Sequence, residues 1–124
     1  MTKKDIASIL YMYYIDKFLE DDFSFDKGKT REKVKSHYDK LRSEHGDEVD
    51  EIRNNINVSE DEGTDYDVMY FSYDKCPEVI LQVTSMIDYD GNSPEGYTGD
   101  SDWCDVGLFM VDYNVVDFDD LDKG

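Results

Sequence analysis

The sequence predicts an α+β domain, with two or three N-terminal helices packed on an antiparallel β-meander of three to four strands. Two observations carry this. Apolar residues recur at helical spacing up to about residue 56, and from Asp65 onward the chain turns to β-branched and aromatic runs. Strands that follow helices in a block, rather than alternating with them, point to an α+β and not an α/β arrangement.

Thr2 with Asp5 three residues on has the pattern of a helix N-terminus whose hydroxyl and carboxylate bond each other's backbone N–H. Ile6, Ile9, Leu10, Tyr13 and Phe18 follow at mostly helical spacing, and Met12, Ile15 and Leu19 widen the apolar face. A helix over about 3–20 is expected, apolar over so much of its surface that it is the central packing element. Phe23-Ser24-Phe25-Asp26-Lys27-Gly28 reads as a loop. Thr30 is a candidate cap for a second helix carrying Val34, Tyr38 and Leu41 at i, i+4, i+7, ended by Gly46. A shorter helix is expected to place Val49, Ile52 and Ile56 on one face, and Ser59-Glu60-Asp61-Glu62-Gly63 is expected to be an acidic loop.

Tyr66–Tyr73, Glu78–Ile87 and Cys104–Tyr113 read as strands. Lys75-Cys76-Pro77 makes the first connection, and a polar loop runs from Asp88 to about Ser101. Val115, Val116 and Phe118 form a short last strand or a docked tail before a frayed acidic end. With no internal repeat and no linker, 124 residues fit one domain, in which 1–56 is the helical part and 57–124 the acidic β part.

Charge divides along the same line. Residues 1–55 hold eleven Lys/Arg against thirteen Asp/Glu, a net of −2, whereas residues 56–124 hold Lys75 and Lys123 against eighteen acids, a net of −16. Salt adaptation would make the chain acidic throughout, yet Lys27, Lys29, Arg31, Lys33, Lys35 and Lys40 cluster in the first half. Direct nucleic-acid binding needs a basic stripe, and this cluster is interleaved with Asp26, Glu32 and Asp39, which reads as a solvated helix face. Aromatics at 14% set the chain apart from disordered acidic sequences. No run approaches a membrane span, and Tyr13, Tyr14, Asp16 and Lys17 interrupt any signal-peptide core, so a cytoplasmic protein is expected. Cys76 and Cys104 then read as buried free thiols.

Catalytic patterns are missing one after another. His37 and His45 lie eight apart, which suits neither a zinc-binding helix pair nor HExxH, and they read as exposed helix residues. There is no GxSxG, no P-loop and no GxGxxG. Asp88-Tyr89-Asp90-Gly91-Asn92 begins like a calcium loop, but Ser93 stands where that loop needs glycine and Gly99 where it needs glutamate. Neither an enzyme nor a cofactor or metal protein is expected.

What remains is acid beside aromatic, as at Asp65-Tyr66-Asp67, Asp88-Tyr89-Asp90, Asp102-Trp103 and Asp117-Phe118-Asp119-Asp120. In an extended chain, pairs such as Asp65/Asp67, Asp100/Asp102 and Asp117/Asp119 lie about 6.6–6.8 Å apart on one face, a scale compatible with phosphates that advance about 3.4 Å per step along a strand. With Glu95 in the long loop, these residues form the expected partner-binding set. Their summed potential steers the chain to a basic cleft, and aromatics such as Tyr89 and Trp103 supply anchors that rim charges cannot.

In size and charge the chain resembles the small acidic DNA-mimic inhibitors carried by phages and mobile elements: anti-CRISPR proteins, anti-restriction proteins and inhibitors of uracil-DNA glycosylase. The resemblance is to a functional class whose members differ in fold. It implies a non-enzymatic inhibitor that occupies the basic nucleic-acid-binding cleft of a defence nuclease, an RNA-guided nuclease first and a restriction enzyme second. The alternative with the same electrostatics is an immunity protein or antitoxin against a basic nuclease toxin.

Overall fold

The computed structural model describes residues 1–18, 29–62, 66–86, 105–112 and 114–123. Helix α1 (Lys3–Lys17) and helix α2 (Lys29–Arg53) precede strands β1 (Ile56–Glu62), β2 (Tyr66–Tyr73), β3 (Cys76–Met86), β4 (Asp105–Val111) and β5 (Asn114–Val116), and a 3₁₀ helix, Phe118–Lys123, closes the chain. The strands form one antiparallel sheet in sequence order, so the α+β meander expected from the sequence is present with five strands instead of three to four.

Helix α1 starts as its sequence dictates. Thr2 Oγ1 accepts the Asp5 N–H at 3.1 Å and Asp5 Oδ2 accepts the Thr2 N–H at 3.0 Å. Ile6 to Met12 are then buried without interruption, together with Tyr14. Over that stretch the helix has no solvent face, because β2 and β3, α2 and the 3₁₀ helix all pack on it. It ends at Phe18, whose N–H bonds the Tyr14 carbonyl, short of the expected residue 20.

Helix α2 begins at Lys29, which puts Thr30 inside the first turn and not at the cap. Val34, Tyr38 and Leu41 are buried as their spacing predicts. The helix breaks at His45 (φ −138°, ψ 42°) and resumes, so the expected stop and restart around Gly46 is a kink within one long element. Val49 and Ile52 beyond it are buried, but Ile56 belongs to β1 and not to a helix.

The inward face of the sheet carries Phe71 and Tyr73 of β2, Val79, Leu81 and Val83 of β3, and Phe109 of β4. Register aligns them, Phe71 pairing with Leu81 and Leu81 with Phe109. Phe71 meets the rings of Tyr14 (5.6 Å) and Phe18 (5.4 Å), and Tyr11 meets Phe109 (5.7 Å). These offset and edge-on contacts join α1 to the sheet.

Three boundaries depart from expectation. Ser59-Glu60-Asp61-Glu62 is not a loop but the second half of β1. An edge strand has a neighbour on one side only, so Ile56 and Val58, opposite Tyr73 and Phe71, suffice to hold it while Glu60 and Asp61 stay wetted. Cys76 does not lie in the turn but opens β3, pairing with Tyr73 across the two-residue connection Asp74-Lys75. Its thiol is free and half-buried, not fully buried. The acidic end is not frayed, because Phe118 and Leu121 of the 3₁₀ helix are buried in the core.

Candidate acidic interaction surface

The sheet is the platform, and two groups of exposed acids stand out on it, one on strand β1 and one on the 3₁₀ helix that follows β5. At the first edge β1 pairs, among the described residues, with β2 alone, and residues 57–61 are all exposed. Glu60 stands opposite Met69 and Asp61 opposite Val68, so successive carboxylates point to opposite faces of the sheet. Among the described residues neither has an ion-pair partner. Val58 is 39% exposed and adds an apolar contact beside them.

The opposite edge strand, β5, carries no acid, and the 3₁₀ helix that follows it packs on α1. Four strand spacings, about 19 Å, separate β5 from β1. Asp117, Asp119 and Asp120 are exposed around the buried Phe118. The chain is not extended, since the Asp120 N–H bonds the Asp117 carbonyl at 3.0 Å. The expected strand-like spacing of Asp117 and Asp119 therefore does not apply, as a 3₁₀ helix rises only about 2.0 Å per residue. Lys33 Nζ donates to Asp119 Oδ2 at 2.7 Å and fastens this helix to α2. That bond, and the Asp119 charge with it, raises the Lys33 pKa.

Of the expected partner-binding residues, the structure brings together Asp117, Asp119 and Asp120. Asp67 lies in β2 opposite Glu62 and Ser85. Asp65, Asp88, Tyr89, Asp90, Glu95, Asp100, Asp102 and Trp103 lie outside the described residues.

Sequence reasoning missed two contributors. One is β1, read as a loop. The other is the part of α2 around and beyond its kink, where Glu44, Asp47, Glu48, Asp50 and Glu51 follow one another with no Lys or Arg between Arg42 and Arg53. That run was legible but was hidden inside a half-chain that is nearly neutral. Arg42 takes Asp50 at 3.0 Å, while Glu48 and Glu51 line a cavity of about 430 Å³ with Glu78, Lys3 and Lys75. Ile6, Ile52 and Tyr73 also line it, as does Cys76. Burial, and then the Glu78 carboxylate, push the Cys76 thiol up, so it stays protonated.

His37 is not the exposed helix residue expected. Its Nε2 lies 2.7 Å from Asp5 Oδ1, half-buried, with the Phe118 ring edge-on at 5.6 Å. Lys4 sits 5.0 Å from the centre of that same ring. The imidazole thus joins α1, α2 and the 3₁₀ helix. His45 is exposed and 3.8 Å from Glu48. Among the described residues no three His, Cys, Asp or Glu side chains form a group able to hold a metal, and no helix is long and apolar enough to cross a membrane.

Compared with protein-family models, with curated proteins and with solved structures, the chain matches none.

Proposed function

We propose that the chain is a DNA-mimic inhibitor that occupies the basic nucleic-acid-binding cleft of a defence nuclease, an RNA-guided nuclease first and a restriction enzyme second. The observation that carries this is the partition of charge onto the sheet half. There eighteen acids stand against two lysines, and the helical half is close to neutral. Acids that merely keep a protein soluble have no reason to concentrate on one half of a small domain. Glu60 and Asp61 on the β1 edge, with Asp117, Asp119 and Asp120 around the 3₁₀ helix that follows β5, support the reading. Two separate groups of carboxylates present charge to a groove, as a duplex does with its two backbones. Steering by such a field is fast and salt-sensitive. No catalytic step is part of this function.

The test is competition. A labelled duplex bound to a guide-loaded RNA-guided nuclease, or to a restriction enzyme, is titrated with the protein at several salt concentrations. Displacement of the duplex, weakening as salt rises, is the expected result. Loss of cleavage while the duplex stays bound would exclude mimicry. Charge reversal at Asp117 should weaken displacement without altering the fold, since its side chain is exposed.

A further inference from the structure

We infer that the free edge of β1 is a strand-addition site for an extended basic segment of the partner protein. The inference gives the proposed inhibitor a mode of contact, and it rests on that reading only for the partner's positive charge.

The primary feature is backbone. Strand β1 runs for seven residues, Ile56–Glu62, and among the described residues it pairs on one side only, with β2. Along its other side every second residue presents an N–H and a C=O in the geometry of a ladder, and residues 57–61 are solvent-exposed there. An extended peptide completes such an edge with main-chain bonds, and side-chain pairs select which peptide fits.

The side chains reject a second copy as the occupant. Strand β1 holds Glu60, Asp61 and Glu62 and no Lys or Arg. Parallel pairing of two β1 strands sets acid opposite acid, which is destabilising. Antiparallel pairing about Ser59 sets Glu60 opposite Val58 and Asp61 opposite Asn57, again without a cation. A basic strand meets both acids with opposite charge.

Register makes the fit specific. Val58 and Glu60 face the helix side, and Asp61 faces the other. An antiparallel segment therefore needs two adjacent basic residues opposite Asp61 and Glu60, then any residue opposite Ser59, then an apolar residue opposite the part-exposed Val58. In sequence it reads basic-basic-any-apolar.

The experiment uses the full chain and a nine-residue synthetic peptide centred on Lys-Arg-Thr-Val. Three comparison peptides are a scramble of the same composition, a version N-methylated at alternate amides, and a version with both basic residues made glutamate. Binding is followed by titration, and the site by hydrogen exchange. The parent peptide should protect the amides of residues 56–62. The scrambled, N-methylated and acidic peptides should each bind roughly tenfold more weakly or less. Protein carrying Glu60→Lys with Asp61→Lys should show the same loss while keeping its melting curve. Equal binding by the N-methylated peptide would reduce the contact to charge alone and overturn strand addition, as would protection mapped to the β5 edge. Duplex displacement that survives Glu60→Lys with Asp61→Lys leaves mimicry standing and removes the edge. Peptide binding without duplex displacement does the reverse.

Discussion

His37 Nε2 and Asp5 Oδ1 lie 2.7 Å apart, and through this contact the second helix holds the residue that starts the first. Asp5 already bonds the Thr2 backbone and accepts nothing less local than that until His37 arrives from 32 positions away. The same imidazole faces Phe118, so the first turn of α1, the middle of α2 and the C-terminal 3₁₀ helix meet at one point.

That junction has a pH signature. Burial by itself raises the Asp5 carboxyl, but the Thr2 N–H, the His37 ring and the Thr2 hydroxyl outweigh it, and the pKa falls below 3.8. A carboxyl whose folded pKa is depressed contributes stability that is full above its unfolded value. That stability is lost as pH falls through the folded one. Asp5→Ala should therefore cost about 1 kcal/mol near neutrality, as the loss of a helix cap does. The gap from the parent should close as pH drops below the unfolded carboxyl value near 3.8. Urea midpoints for both proteins across this range measure it. Taking the difference matters, because protonation of the other acids relieves repulsion in both proteins alike. A gap that stays constant to low pH would mean that the Asp5 charge is not what matters.

Gly46 sits beside the kink, yet the kink belongs to His45, and a Cβ built on Gly46 meets nothing within 4 Å. Its backbone also lies outside the left-handed region that favours glycine. Gly46→Ala should then stabilise the protein by roughly 0.4–1 kcal/mol through the unfolded chain. This corresponds to a rise of about 2–4 °C in melting temperature. A fall instead would show that the break in α2 needs glycine's freedom.

How much of this was legible in the sequence depends on which residues do the packing. Helix α1 was readable because Thr2 and Asp5 announce its start and Ile6, Ile9 and Leu10 its face. Strand β2 was readable to its end residues, since Tyr66–Tyr73 is an apolar and aromatic run between acids. Strand β1 was not. An edge strand needs only Ile56 and Val58 inward, and the three acids that follow look like a loop when the neighbour is unknown. The short strand at Val115 and Val116 and the docked Phe118 were readable, but the order beyond them was not, as Leu121 is a lone apolar residue among aspartates. For the candidate surface, the division of charge was visible by counting. Its layout on strand β1 and the 3₁₀ helix was not, because carboxylates have no packing preference that would place them.

The tail supplies a further prediction. Leu121 is 5% exposed, although aspartates flank it, and it shares the core with Phe118. Leu121→Ala should cost about 2–4 kcal/mol, the range for an aliphatic side chain deleted from a core. Val115, 62% exposed on β5, is the control, and Val115→Ala should stay within about 0.5 kcal/mol. Chemical denaturation of the two variants separates a docked terminus from a frayed one. If Leu121→Ala were as mild as Val115→Ala, the 3₁₀ helix would contribute nothing to the fold.

Net charge of −18 on 124 residues makes the folded state repel itself, and salt decides how far that repulsion reaches. At about 0.01 M the screening length is roughly 30 Å, longer than the 19 Å or so between the β1 and β5 edges, so charges across the sheet feel one another. At about 0.1 M it is roughly 10 Å, and only neighbouring acids still interact. The urea midpoint should therefore rise with added sodium chloride, most steeply across this interval, with little change in slope against denaturant. Attractive pairs are screened too, which works the other way. Those between Lys33 and Asp119 and between Arg42 and Asp50 are exposed on both partners, and solvent leaves such pairs little net stabilisation. Repulsion among eighteen acids facing two lysines outweighs them. A midpoint that fell with salt would mean that the acids are held in attractive pairs, and the two groups of acids would then not be free to meet a partner.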